Sequence, residues 1–250
     1  EPKKEEPKKE EPKKEEPKKE EPKINTVQQT ENGNLRPKNQ AIGYPDNGSV
    51  RGATSILTTQ QMLGIKAFFE VAHPTRNRHF GTYEMSEMIK RLGEMLNLKF
   101  LKKLFVGNIS QKLGGKLPPH LSHQAGIDAD FGYPASDNAT KFPVVVQMST
   151  RKYFASNYSV EKTYHLLKFA FSQNDIPVAR FFVDRTIKKA LCEYAQSHGE
   201  FKSKDKNTVQ DLFESIQHVD GHGDHFHIRL KCSHFDPACR NRTYSVNQGC

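Results

Sequence analysis

Six of the eleven histidines fall in two short windows. PPHLSHQAGIDADFGYP carries His120 and His123, and QHVDGHGDHFHIRLKC carries His218, His222, His225 and His227. Imidazole is the commonest metal ligand in proteins, and aspartates stand beside it in both windows. Two such clusters, far apart in the chain, suit a metal centre assembled by folding. If HFHIRL is a strand, alternation puts His225, His227 and Arg229 on one face and Phe226, Ile228 and Leu230 on the other, towards a core. In the first window Asp128 and Asp130 alternate in the same way with Ile127, Ala129 and Phe131. One carboxylate and one imidazole from the first segment, with one imidazole from the second, make three ligands. Catalytic zinc sites use three protein ligands and keep a fourth position for water. Spacing does not choose between Asp128 and Asp130. His73, His79, His165, His198 and His234 stand alone and read as ordinary surface histidines. Neither window holds a glutamate, so the general base of the H-E-x-x-H peptidases is missing.

The elements that must position these residues are short. Helical spacing runs from Tyr83 to Leu96, with Met85, Met88, Ile89, Leu92 and Leu96 on one stripe. A second helix is expected from the N-cap Ser159, burying Val160, Tyr164, Leu167 and Phe171. Leu101–Asn108, Pro143–Met148, Val178–Asp184 and His225–Cys232 read as strands, each brief and rich in β-branched or aromatic residues. Helices and strands mix without a βαβ rhythm, which predicts an α+β fold: a small antiparallel sheet carrying the metal site, with helices packed around it. The stretch from Ile24 to Thr54 reads as an irregular lead-in, and long loops are expected between Gly107 and Phe142.

Residues 1–23 repeat EPKKE with proline at 2, 7, 12, 17 and 22. Proline every fifth residue prevents a helix, and no apolar side chain is present to build a core. The segment is expected to be a disordered, extended linker, followed by one domain over residues 24–250. Its nine lysines balance its nine glutamates. The chain's net charge of +9 therefore lies on residues 24–250, where 29 Lys and Arg face 20 Asp and Glu. A basic body suits an anionic partner such as a wall polymer. No basic helix or interleaved aromatic-basic motif points to nucleic acid. No apolar run approaches the roughly 20 residues of a membrane helix. The chain starts at Glu1 rather than at a methionine, as after removal of a signal peptide. Four cysteines, Cys192, Cys232, Cys239 and Cys250, suggest two disulfides and an oxidising compartment, with three possible pairings. The sequons at Asn108, Asn138, Asn157 and Asn241 read as coincidental.

The strings themselves carry a resemblance. S-H-Q-x-G-x-D-x-D, here Ser122 to Asp130, with H-x-x-H-x-H followed by a hydrophobic-Arg-Leu strand, resembles the penicillin-insensitive murein endopeptidases. That family lies within the larger group of lysostaphin-type and D-Ala-D-Ala metallopeptidases. RHFGTYEMSEMIKRL, LFVGNISQKLGGKLPPH and FFVDRTIKKALC are weaker likenesses, and together the likeness covers most of residues 45–250. The resemblance implies a Zn2+ ion held by His123, Asp130 and His227, with His225, His222 and His120 as further active-site histidines. It implies Asp128 as a hydrogen-bond partner behind the ligands, and disulfides Cys192–Cys250 and Cys232–Cys239. A third family disulfide is absent: Ser49 stands at its first position and the chain ends before its second. The EPKKE repeat lies outside the family pattern. The implied activity is hydrolysis of peptidoglycan cross-links, the D-alanyl–meso-diaminopimelate amide, in the periplasm or outside the cell. Within it His225 is the candidate base, and His222 or His120 the group that stabilises the oxyanion or donates to the leaving amine. The alternatives are a D,D-carboxypeptidase, another stem-peptide amidase, or an inert zinc-containing wall-binding protein.

Overall fold

The computed structural model describes residues 27–29, 35–37, 39–136, 158–204, 206–245, 249 and 250. The EPKKE repeat and the expected strand Pro143–Met148 lie outside these residues.

The outer strand pairs come first in the chain. Strands β1 (Val27–Gln29) and β2 (Leu35–Pro37) pair antiparallel. The stretch expected to be an irregular lead-in contains a regular hairpin, β3 (Gln40–Tyr44) with β4 (Asn47–Arg51), paired Tyr44 to Asn47 around a two-residue turn. Gly43 sits at φ +74°, and a Cβ there would come within 2.6 Å of the Asn47 carbonyl oxygen. Only glycine fits that approach. The short β5 (Thr54–Ser55) leads into α1 (Ile56–Leu63), capped by the Ser55 hydroxyl accepting from Thr58 N. Then follow β6 (Phe69–Val71), β7 (Phe80–Gly81), which pairs with β5, and α2 (Tyr83–Phe100). The α2 stripe is as the sequence predicts: Met85, Met88, Ile89, Leu92 and Leu96 are buried, and Thr82 caps the N-terminus.

The remaining strands are β8 (Leu104–Val106), β9 (Asp128–Gly132), β10 (Val178–Val183), β11 (Ile216–His218) and β12 (His225–Leu230). Between them lie α3 (Val160–Phe171), α4 (Arg185–Ser197) and α5 (Lys206–Ser215). Ser159 caps α3 as expected, and Asp184 caps α4. The main sheet has six strands in the order β11-β10-β12-β9-β8-β6. It is thus larger than the small antiparallel sheet expected, and it is mixed. The inner pairs are antiparallel, while β10–β11 and β6–β8 are parallel. Parallel neighbours need long crossovers, and α2 and α4–α5 supply them.

Helices α2, α3 and α5 pack against the strands. The face of β12 turned to them holds Phe226, Ile228 and Leu230, and that of β9 holds Ala129 and Phe131, all at most 1% exposed. The rings of Phe131 and Phe226 stack 5.3 Å apart across the two strands. A fully buried phenylalanine contributes about 1.5–3 kcal/mol, so this face fixes the register of β9 and β12. The alternate residues are thereby committed to the opposite face.

Candidate metal centre and active site

The β9–β12 register pairs His227 directly with Asp130 and Arg229 with Asp128. Residues opposite each other on antiparallel strands share a face. Two carboxylates, one imidazole and one guanidinium therefore converge at the centre of the sheet. His123 comes from the loop before β9 and has φ +66°, a left-handed conformation that a side-chain-bearing residue rarely adopts. Its backbone N donates to Asp128 Oδ2 at 3.1 Å, and its Nδ1 donates to the Ile109 carbonyl at 2.8 Å. Both bonds hold the ring so that Nε2 points at Asp130 Oδ1, 3.2 Å away. Gly107 backs the carboxylate: its N donates to the Asp130 carbonyl at 2.8 Å, and a Cβ there would press Asp130 Cβ at 3.1 Å.

The ring nitrogens are assigned by their partners, since a carbonyl or carboxylate oxygen only accepts. In His227 Nε2 donates to Asp128 Oδ1 at 2.8 Å and Nδ1 lies 3.4 Å from Asp130 Oδ1; the two carboxylates raise this buried imidazole, and in its neutral form the lone pair is on Nδ1. In His120 Nε2 accepts from the Asn108 amide at 2.9 Å, so Nδ1 carries the proton and faces Asp130 Oδ2 at 3.9 Å. His225 Nδ1 donates to Asp224 Oδ1 at 2.6 Å, leaving Nε2 turned to Asp130 Oδ1 at 3.6 Å. His222 Nδ1 donates to the Val219 carbonyl at 3.1 Å.

These residues fit a metal ion. His123 Nε2 and Asp130 Oδ1 are buried and have no hydrogen-bond partner. A buried polar group without a partner costs free energy, and here the two converge with the lone pair of His227. Ligand atoms of His120, His123 and Asp130 also lie within 4.8 Å of one another. The charges agree. Asp128 is neutralised by Arg229, whose Nε lies 2.6 Å from its Oδ1. Among the described residues, only histidines lie within ion-pair distance of Asp130. Burial works to raise the Asp130 carboxyl, but the imidazoles of His123, His227 and His225 hold it well below the usual range. The same contest, won by Arg229 and His227, keeps Asp128 ionised. A buried, ionised carboxylate needs a positive partner, and at Asp130 the imidazoles or a metal ion held with them would supply it.

The outer histidines differ in basicity. Burial lowers His225, but the Asp224 hydrogen bond and the charges of Asp130 and Asp224 outweigh it and leave the group raised. Burial and neighbouring imidazoles push His120 and His222 down to about 4, so both are neutral at pH 7. His120, His123, His222, His225 and His227 line a cavity of about 560 Å³, together with the apolar ring of Phe182 and with Asp46 and Pro119. A volume of that order holds several residues of a bound peptide.

Of the histidines singled out in sequence, five meet in this cavity and His218 does not; it faces Asp220 instead, 3.2 Å away. His79, expected at the surface, is buried and stacks on Phe80. Sequence reasoning passed over Asp224, although it directly precedes His225. It also passed over Asn108, for which the sequence holds no signal beyond its place at the end of a strand. Both disulfides implied by the resemblance are present, Cys192–Cys250 and Cys232–Cys239. No described helix is long and apolar enough to cross a membrane.

The chain is similar to the penicillin-insensitive murein endopeptidase of Haemophilus influenzae, 28% identical over 88% of this chain and 72% of that protein. The protein of the same name from Yersinia enterocolitica is 26% identical over 77% of this chain and 66% of its own length. A sequence model of that family matches residues 41–250. The chain belongs to the penicillin-insensitive murein endopeptidase family.

Proposed function

We propose that this protein is a zinc-dependent peptidase that hydrolyses peptide cross-links of peptidoglycan, the D-alanyl–meso-diaminopimelate amide, in the periplasm or outside the cell. The observation that carries this reading is the convergence of His123 Nε2, Asp130 Oδ1 and His227 Nδ1, two of them buried and otherwise unpartnered. Histidine and carboxylate donors are the ligand set of catalytic zinc. What supports His227 as the third ligand is the Nδ1 that it turns to Asp130 while Asp128 holds its Nε2; His120, whose Nε2 accepts from Asn108, turns an N–H to the site. When bound, zinc polarises a carbonyl and lowers the pKa of its water towards neutrality.

The chain's own groups do the rest. His225 accepts a proton at Nε2, held in that tautomer by Asp224, and returns it to the leaving amine. Its raised basicity suits both halves of that transfer. His120 presents Nδ1–H to the site and stabilises the developing oxyanion. His222, neutral and with its Nδ1–H engaged by the backbone, offers an acceptor at the cavity wall that orients the substrate's amide. Asp128 receives His227 and the His123 backbone, so it holds two ligands in place at once. The two disulfides suit an oxidising compartment.

The test is digestion of purified cross-linked muropeptides, with and without chelator, read by mass spectrometry. Conversion of dimers to monomers that chelation abolishes is the expected result. Release of free D-alanine alone would make the protein a D,D-carboxypeptidase. Binding without any product would make it an inert wall-binding protein.

A further inference from the structure

A second groove, of about 540 Å³, lies beside the catalytic cavity. It is lined by Arg76, Arg78 and Lys112 and by no acidic residue. Arg76 and Lys112 are exposed and Arg78 is half-buried. Among the described residues, the ion pairs of this protein are made by other cations, and these three side chains have no carboxylate partner. Like charges lining one groove repel one another, and an anion seated between them relieves that cost.

The groove is joined to the active site. Leu117 and Pro118 line it, and the next two residues, Pro119 and His120, line the catalytic cavity. One turn of chain therefore separates the two spaces. The backbone links them too: the Arg78 carbonyl accepts from Ile109 N at 2.7 Å, and the Ile109 carbonyl accepts from His123. The groove's position is fixed relative to the proposed metal ligand.

We propose that this groove binds carboxylates of the stem peptide on one side of the scissile cross-link. The proposal rests on the peptidoglycan reading above and adds a subsite to it. Stem peptides carry free carboxylates on their glutamyl and diaminopimelyl residues, within a few bonds of the cross-linked amide. Charge complementarity selects such a strand over an uncharged glycan. Guanidinium groups match a carboxylate's two oxygens, and the exposed Leu113 at the rim covers the aliphatic part of the peptide.

The experiment has two readouts, one independent of turnover. Binding to purified sacculi is measured by co-sedimentation at low and high salt, for the wild type and for the variant Arg76→Gln/Arg78→Gln/Lys112→Gln. Steady-state kinetics on a soluble cross-linked dimer give kcat and KM separately. Three charge contacts, two of them exposed and one half-buried, together predict a weakening on the order of tenfold at low salt, seen in KM and in binding, with kcat unchanged. Salt should erase the difference between the two proteins. The variant Arg76→Lys/Arg78→Lys should keep most of the affinity, which separates loss of charge from loss of fold. Sacculi whose carboxylates have been amidated should bind the wild type as weakly as untreated sacculi bind the triple variant. Unchanged KM and unchanged sedimentation in the triple variant would overturn the proposal. So would full wild-type binding to amidated sacculi, which would place the attraction on phosphate polymers. A wild type that binds through the groove yet cleaves nothing would sink the peptidase reading and leave the carboxylate site standing.

Discussion

Replacing Asp128 by alanine separates what this carboxylate does for stability from what it does for the metal. The side chain is 0% exposed and accepts from His123 N at 3.1 Å, His227 Nε2 at 2.8 Å and Arg229 Nε at 2.6 Å. Its removal leaves the Arg229 guanidinium, in a residue only 8% exposed, with a hydrogen bond to Tyr244 Oη at 2.6 Å and the Phe182 ring 5.0 Å away, but without a counter-charge. Breaking one member of a buried ion pair costs about 3–5 kcal/mol, a large share of the roughly 5–15 kcal/mol that holds a domain folded. Urea denaturation in the presence of chelator measures this without a contribution from metal binding. The double variant Asp128→Leu/Arg229→Met replaces both charges by apolar groups and should recover most of the loss. Zinc affinity should fall about 10–100-fold in both variants, because the His227 Nε2 has lost its acceptor in each. The pH dependence has a definite sign. Asp128 lies well below its unfolded value of about 3.9, so its contribution is complete above that value and is lost as pH falls further. The alanine variant should therefore lose less stability than the wild type below pH 4. A loss under about 1 kcal/mol in Asp128→Ala, or a double variant no more stable than the single one, would refute this reasoning.

His225→Ala should keep its zinc and lose about 10²–10⁴-fold in turnover; a variant that digests sacculi at the wild-type rate would remove His225 from the mechanism. In Asp224→Asn the carboxylate that raises His225 is gone, so the base should become competent at lower pH and the acid limb of kcat/KM should move downwards. An unmoved acid limb would show that Asp224 does not set the basicity of His225. Reducing or replacing Cys192–Cys250, which links positions 58 residues apart, should cost about 4 kcal/mol under the loop-entropy model, against roughly 2.5 kcal/mol for the seven-residue separation of Cys232–Cys239. Thermal denaturation of the two Cys→Ser pairs gives that order, and a reversed order would contradict it.

Much of the site was legible because strand periodicity is a two-residue rule that side chains obey strictly once one face is buried. Phe226, Ile228 and Leu230 against Ala129 and Phe131 determine which face His227, Arg229, Asp128 and Asp130 occupy. The stripe of α2 and the Ser159 cap follow from equally local rules. What the sequence could not show is pairing. That His227 stands opposite Asp130, or that His218 ends β11 on the far side of β10 and pairs with Asp220, depends on a register between segments distant in the chain. The reading of Asp130 rather than Asp128 as a ligand came from the family resemblance, and the contacts that support it appear only in three dimensions. Asp128 is consumed by Arg229, which leaves Asp130 without a guanidinium partner. The hairpin of β3 and β4 escaped because its strands are short and mostly polar, with only Ala41 and the opposite Val50 buried in the core.

Metal content of purified variants, measured by inductively coupled plasma mass spectrometry after dialysis, tests the central claim most directly. The wild type should hold one zinc per chain, His120→Ala should retain it, and His227→Ala should lose it, since two remaining ligands hold zinc poorly. Full zinc occupancy in His227→Ala, or its loss in His120→Ala with His227 intact, would contradict the metal centre described above.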